Sequence, residues 1–123
     1  MEDADAYIKA EDERRRVERE TKKEVVRDNI NTYVVLTGRS SPKNLGGYNW
    51  FSVTIENKSD YLIDQYSVQI QVWQENGALY RTNKAEIYNI MPHTRKRVKV
   101  DGSGRGSKWN FYRPRIRSET LGL

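Results

Sequence analysis

The sequence predicts a mainly β protein: one N-terminal helix followed by an antiparallel β-sandwich of six to seven strands. Three observations predict it. Tyr66, Val68, Ile70 and Val72 alternate with Ser67, Gln69, Gln71 and Trp73, the period of two of a strand with one buried face. Asn76-Gly77 follows and the chain resumes as Leu79-Tyr80-Arg81-Thr82, so a hairpin from Tyr66 to Ala85 is expected, its two turn positions at positive φ. Turn signals then recur about every 8 to 12 residues with no helical period after residue 30, which favours a sandwich over a parallel α/β sheet.

Residues 3–28 contain no Gly or Pro and are rich in Ala, Glu, Arg and Lys, so they read as one helix. Glu11/Arg15, Glu18/Lys22 and Glu20/Lys23 sit at helical spacing for ion pairs. Tyr7, Ala10, Val17 and Val25 form a thin stripe that Arg14 and Thr21 interrupt, short of a coiled-coil seam. A helix polar nearly all round is a solvated spacer, and the stripe leaves open an oligomerisation arm. The division expected is 1–29 for the helix and 30–123 for the sandwich.

Ile30 to Thr37 is β-rich and reads as the first strand, with Gly38 to Gly47 as a loop. Phe51, Val53 and Ile55 alternate with Ser52, Thr54 and Glu56 in a second strand. Asn57-Lys58-Ser59-Asp60 is a turn, and Asn57-Lys58-Ser59 also fits a glycosylation sequon. Tyr61 to Ile63 reads as an edge or corner segment. Past the hairpin, Ala85 and Ile87, with Asn89 as a further candidate, share one face of a further strand, with Tyr88 and Ile90 on the other. Val98 and Val100 alternate with Arg97 and Lys99. Asp101 to Gly106 reads as a flexible loop, and Pro114 pushes the last strand, Trp109 to Ile116, towards an edge.

Val53 to Ser59, Tyr66 to Val72, Glu75-Asn76-Gly77 and Ile87 to Pro92 together resemble the core pattern of FxLYD-type β-sandwich domains. Val98 to Gly106 and the ending Ile116-Arg117-Ser118 to Leu121-Gly122-Leu123 resemble the C-terminal sandwich of small membrane-anchored bacterial proteins of unknown function. The resemblance covers roughly residues 30–123. It implies an immunoglobulin-like sandwich, often held outside the cytoplasm behind a tether, and it carries over no catalytic residue. The strongly basic last third departs from the pattern.

Function is less legible. Charged residues make up 32% of the 123 and apolar residues only 36%, so part of the chain must be solvated. With no cysteine there is no disulfide, thiolate metal site or cysteine nucleophile. No apolar run approaches the roughly 20 residues of a membrane span. Met1 to Asp5 is acidic where a signal peptide starts basic. An extracytoplasmic, tethered location is expected if a segment precedes Met1, and a cytoplasmic one otherwise.

Catalytic templates fail at their first step. His93 is the one histidine, in a turn after Pro92, with no recognisable nucleophile or metal partner. Gly102 to Gly106 is Gly-rich but lacks the Gly-Lys-Ser/Thr of a phosphate loop. No enzyme and no cofactor is therefore expected.

The net charge of +5 is concentrated at one end: residues 1–31 carry −2, residues 32–91 are neutral, and residues 92–123 carry +7. Arg95, Arg97 and Lys99 share one strand face, as do Arg113, Arg115 and Arg117; if the two strands pair, the rows lie side by side. Arg105 on its loop could join them. Trp73 and Trp109 are the candidate aromatic contacts, Trp73 because it falls on the outward parity of its strand. The N-terminal helix packing over Trp73 is the alternative, as is a core role for Trp109. The expected role is a non-enzymatic binding or structural module for a protein or cell-surface component. Nucleic acid bound by the basic strands is the runner-up, and a helix-mediated homo-oligomer the third reading.

Overall fold

The structure, a computed structural model, describes the backbone of residues 2–123 and side chains from residue 10 onward. Helices α1 (Glu2–Asp28) and α2 (Ile30–Tyr33) precede six strands. These are β1 (Val34–Pro42), β2 (Tyr48–Asn57), β3 (Ile63–Trp73), β4 (Leu79–Ile90), β5 (Thr94–Ser103) and β6 (Lys108–Arg117). They form two antiparallel three-stranded sheets, ordered β1-β2-β5 and β4-β3-β6. The expected helix-plus-sandwich is thus the observed fold, with six strands.

The inner faces follow the alternation. Phe51, Val53 and Ile55 of β2 face Tyr66, Val68, Ile70 and Val72 of β3, all buried. Val98 and Val100 of β5, and Trp109, Phe111 and Ile116 of β6, close the core at its sides. Burying such a set is the main source of stability, at about 25 cal/mol for each Å² of apolar surface. One long side of the sandwich is closed by side chains reaching across from β4 to β5. Asn83 Nδ2 donates to the Asp101 carbonyl at 2.9 Å, and Lys96 Nζ to that of Tyr88 at 2.7 Å. On the other side β1 meets β6, where Trp109 Nε1 donates to Ser40 Oγ at 3.0 Å.

Several boundaries differ from the sequence expectation. Ile30–Tyr33 is a helical turn, and β1 starts at Val34 and runs through Gly38, which the residue types mark as loop. Gly38 stays in the strand because the rings of β6 occupy its inward side: a Cβ there would lie 2.4 Å from Phe111 Cζ. The Asn-Gly turn is not the two-residue form with both residues at positive φ. It spans Gln74 to Gly77, closed by Gly77 N–H to the Gln74 carbonyl at 3.0 Å, with Gly77 at φ 84° and the bulge between Val72 and Trp73. This is the longer hairpin form, in which a left-handed glycine completes the turn. Leu79 to Ile90 is one strand, and Ile90 is buried rather than sharing the exposure of Tyr88, because Asn89 at φ 54° breaks the alternation. Asp101 to Ser103 extend β5, so the loop begins at Gly104. β6 is the edge strand that Pro114 requires.

Within the Asn57-Lys58-Ser59 turn, Asn57 and Ser59 form a buried polar cluster, not a glycan acceptor, while Lys58 is exposed. The Asn57 amide is fully buried and donates to the carbonyls of Tyr61 at 2.7 Å and Ile90 at 3.0 Å. Its Oδ1 accepts from Ser59 N–H at 3.0 Å and Ser59 Oγ at 2.6 Å. Such a side chain has no free nitrogen to modify.

α1 touches the sandwich near its own C-terminus. Val26 is 7% exposed within the core cluster, and Arg27 Nη1 donates to the Leu121 carbonyl at 3.3 Å. From Asp12 to Lys22 every residue is exposed. Glu11–Arg15 and Glu20–Lys23 approach at 3.9 Å as expected; Glu18–Lys22 is not within ion-pair distance. Tyr7 lies outside the described side chains. Among the described residues, no helix is long and apolar enough to cross a membrane.

Candidate anion-binding face

The seven basic residues singled out in the last third fall in three places. Arg95, Arg97 and Lys99 lie on β5, an edge of the first sheet. Arg113, Arg115 and Arg117 lie on β6, an edge of the second. β5 pairs with β2 and β6 with β3, so the side-by-side rows do not form. The two rows belong to the outer faces of opposing sheets and point away from each other. Arg105 sits apart, on the loop before β6, beside Leu45 and Glu75.

On the first sheet the register assembles what the linear pattern scatters. Outward residues of β2 face those of β5 in the pairs Trp50↔Asp101, Ser52↔Lys99, Thr54↔Arg97 and Glu56↔Arg95. On the other side β1 brings Arg39↔Ser52 and Thr37↔Thr54. Arg39, 58 residues from Arg97, thus joins the β5 row, and Trp50 lies on the same face. Both were missed from the sequence. Arg39 stood in a segment that reads as loop, and Trp50 carries an outward parity visible only once β2 is known to begin at Tyr48.

Thr37, Arg39, Ser52, Thr54, Arg95 and Arg97 line a shallow depression of about 260 Å³. Its floor is hydroxyl, from the middle strand, and its walls are guanidinium, from the strands on both sides. Among the described residues no carboxylate oxygen lies within 4.0 Å of a nitrogen of Arg39, Arg95, Arg97 or Lys99. Glu56 and Asp101 flank the row at its two ends. Alternate cations on one strand are about 7 Å apart, and at that distance two unit charges repel by roughly 0.6 kcal/mol in bulk water and more near a protein surface. The face is therefore charged against its own stability. Lys99 Nζ lies 5.2 Å from the Trp50 ring centre, a cation–π contact that fixes the ammonium at the rim.

On the second-sheet face Lys84 is paired, while among the described residues Arg113, Arg115 and Arg117 likewise have no carboxylate oxygen within 4.0 Å. Lys84 Nζ binds Glu86 at 2.7 Å, and Tyr88 Oη donates to the same carboxylate at 2.5 Å. The Lys84 contact holds the Glu86 carboxyl below its ordinary pKa, and sharing the carboxylate raises that of Tyr88. Opposite Val68, β6 bulges at Arg113, which takes φ 50° and lays its guanidinium over the Tyr112 ring at 5.2 Å.

The two aromatic candidates part company. Trp109 faces inward, its ring 5.3 Å from both Phe51 and Phe111, so it is a core residue and not a contact for a partner. Trp73 stays half-exposed at the hairpin end of β3, its indole N–H buried without an acceptor. α1 does not cover it, since α1 meets the body at the end that holds Tyr33 and Leu121. His93 Nε2 lies 2.6 Å from Asp60 Oδ1, with both side chains well over half exposed on adjoining turns.

No family model matches the chain, and no curated protein matches it. Among solved structures, it is similar to the crystal structure of a DUF1425 family member from Shewanella sp. pv-4, at TM-score 0.50 and 14% identity over 69% of this chain and 77% of that one. A likeness at that identity is one of fold, and it identifies the body of the chain as sharing the β-sandwich architecture of that protein.

Proposed function

We propose that the protein is a non-enzymatic binding module: a β-sandwich, residues 30–123, carried on the helical spacer of residues 1–29, which engages an anionic partner through the outer face of its first sheet. The observation that carries this reading is the gathering of Arg39, Arg95, Arg97 and Lys99 on that face with no ion-pair partner within 4.0 Å among the described residues. Uncompensated like charge on a rigid sheet lowers stability and speeds encounter with the opposite charge. The exposed run from Asp12 to Lys22 supports the spacer role. The resemblance of the turn and core residues to FxLYD-type, immunoglobulin-like domains supports display behind a membrane tether, with a protein or cell-surface component as partner.

A second reading, single-stranded nucleic acid, is favoured by Trp50 beside Lys99, since a ring next to a row of cations can stack a base while the charges follow phosphates. One experiment tests both. Fluorescent polyglutamate, single-stranded RNA, single-stranded DNA and duplex DNA are titrated at about 50 and 200 mM salt, where phosphate contacts lose affinity steeply. Polyglutamate binding that weakens with salt and is lost in Arg97→Glu supports the module. Micromolar RNA binding that collapses with salt promotes the second reading. No binding of any polyanion at the lower salt removes both.

A further inference from the structure

The geometry points to a more specific role for this face, resting on the anionic-partner reading: the depression between Arg39, Arg95 and Arg97 is the seat of a phosphate group that the partner carries as a phosphomonoester. The arrangement supplies charge from two directions over a polar floor. Strands lie about 4.8 Å apart, so β1 and β5 stand roughly 10 Å apart across β2, with Arg39 paired to Ser52 on one side, Arg97 paired to Thr54 on the other, and all four lining the depression. Thr37 adds a third hydroxyl beside Thr54.

The donor set selects among anions. Each guanidinium presents a planar fork that can give two parallel N–H bonds to an oxyanion, and each hydroxyl gives one more. A phosphomonoester brings close to two negative charges and three strong acceptor oxygens at neutral pH. That matches three guanidinium groups better than a carboxylate, whose single charge and two oxygens would leave part of the set unmatched. No carboxylate lines the depression, and about 260 Å³ admits a phosphate together with the first atoms of its ester. Trp50 lies one outward position beyond Ser52 on β2, outside the lining of the depression. The second sheet holds a smaller counterpart of about 160 Å³, lined by Ser67, Gln69, Lys84, Arg113 and Arg115, but there Lys84 is held by Glu86 and Arg113 lies over Tyr112, and Arg105 shares its surroundings with Glu75.

The test titrates the full chain with phenyl phosphate, inorganic phosphate and acetate, following backbone amide shifts and the heat of binding at low salt. Expected are saturable shifts at residues 37–39, 52–54 and 95–97, and phosphate affinity at least about tenfold above acetate, as bidentate, doubly charged recognition implies. Arg97→Gln and Arg39→Gln should each weaken phosphate about tenfold or more, while the double variant Arg113→Gln/Arg115→Gln on the opposite sheet stays within about twofold, because surface charges beyond a Debye length are screened. A further arm uses vesicles of phosphatidylcholine with and without phosphatidic acid. Vesicle binding that needs phosphatidic acid and Arg97 supports the seat and puts the phosphate on a lipid; binding of phenyl phosphate alone supports it and puts the phosphate on a soluble partner. Shifts that fail to saturate, or an equal loss in the opposite-sheet variant, overturn the proposal. Arg97-dependent binding of acetate or polyglutamate with no preference for phosphate also overturns it, yet leaves the module standing. Loss of all anion binding removes both.

Discussion

Replacing Asn57 by Ala tests the reading that a turn motif holds the two sheets in place. The Asn57 amide ties β2 to the Tyr61 corner and to the end of β4, through bonds of 2.7 and 3.0 Å. Its Oδ1 accepts from both donors of Ser59. In Asn57→Ala some of these groups keep partners: Ser59 Oγ still reaches the Tyr61 carbonyl at 3.1 Å. The Ile90 carbonyl loses its amide donor and the Ser59 N–H loses its acceptor, both in a fully buried environment. At about 1–3 kcal/mol for each of the two buried groups left short, the loss is about 2–6 kcal/mol. For a domain of this size that lowers the melting temperature by roughly 8–24 °C. Urea unfolding followed by tryptophan fluorescence and far-ultraviolet circular dichroism measures it. A loss below about 0.5 kcal/mol, the ordinary range of surface substitutions, would mean that the amide bonds are made equally well by solvent, and the argument from the buried cluster would fail.

Three further outcomes are expected. Gly38→Ala places a methyl within 2.4 Å of Phe111 Cζ and 2.9 Å of the Trp109 ring, so calorimetry should show a loss of about 1–3 kcal/mol from overpacking, with the Trp109 emission shifted. Val26→Ala, at a residue 7% exposed, should cost about 1.5 kcal/mol for two buried methyl groups, whereas Val17→Ala, at 59% exposure, should be neutral within about 0.5 kcal/mol; equal effects in thermal melts would contradict the docking of α1 by its last turns. Burial raises the Tyr66 phenol above its ordinary pKa, so the folded state favours the neutral form. The stability this gives is full below about pH 10 and is lost as pH rises through the higher folded value. Melting temperature should therefore fall at alkaline pH, and Tyr66→Phe should flatten that fall; an unchanged slope in the variant would rule the phenol out as its cause.

Much of this protein was legible before its structure. Alternation at Tyr66–Val72 and Phe51–Ile55 fixed which side chains face the core, because a strand has only two faces and apolar groups leave water on one of them. Pro114 told that the last strand is an edge, because it has no N–H for a second neighbour. The absence of Gly and Pro and the mixed charges of residues 3–28 told of a solvated helix. Tertiary structure decided the rest. Parity tells that Arg95, Arg97 and Lys99 share a face, and that Arg113, Arg115 and Arg117 share another, but it is silent on which strand lies beside which. Strand order is set by packing across the whole chain, and here it sends β5 and β6 to different sheets and divides the basic residues between opposite surfaces. The same long-range pairing brings Arg39 and Trp50 to Arg97, turns Trp109 inward against Phe51, and so gathers a basic face from three strands that no local pattern connects.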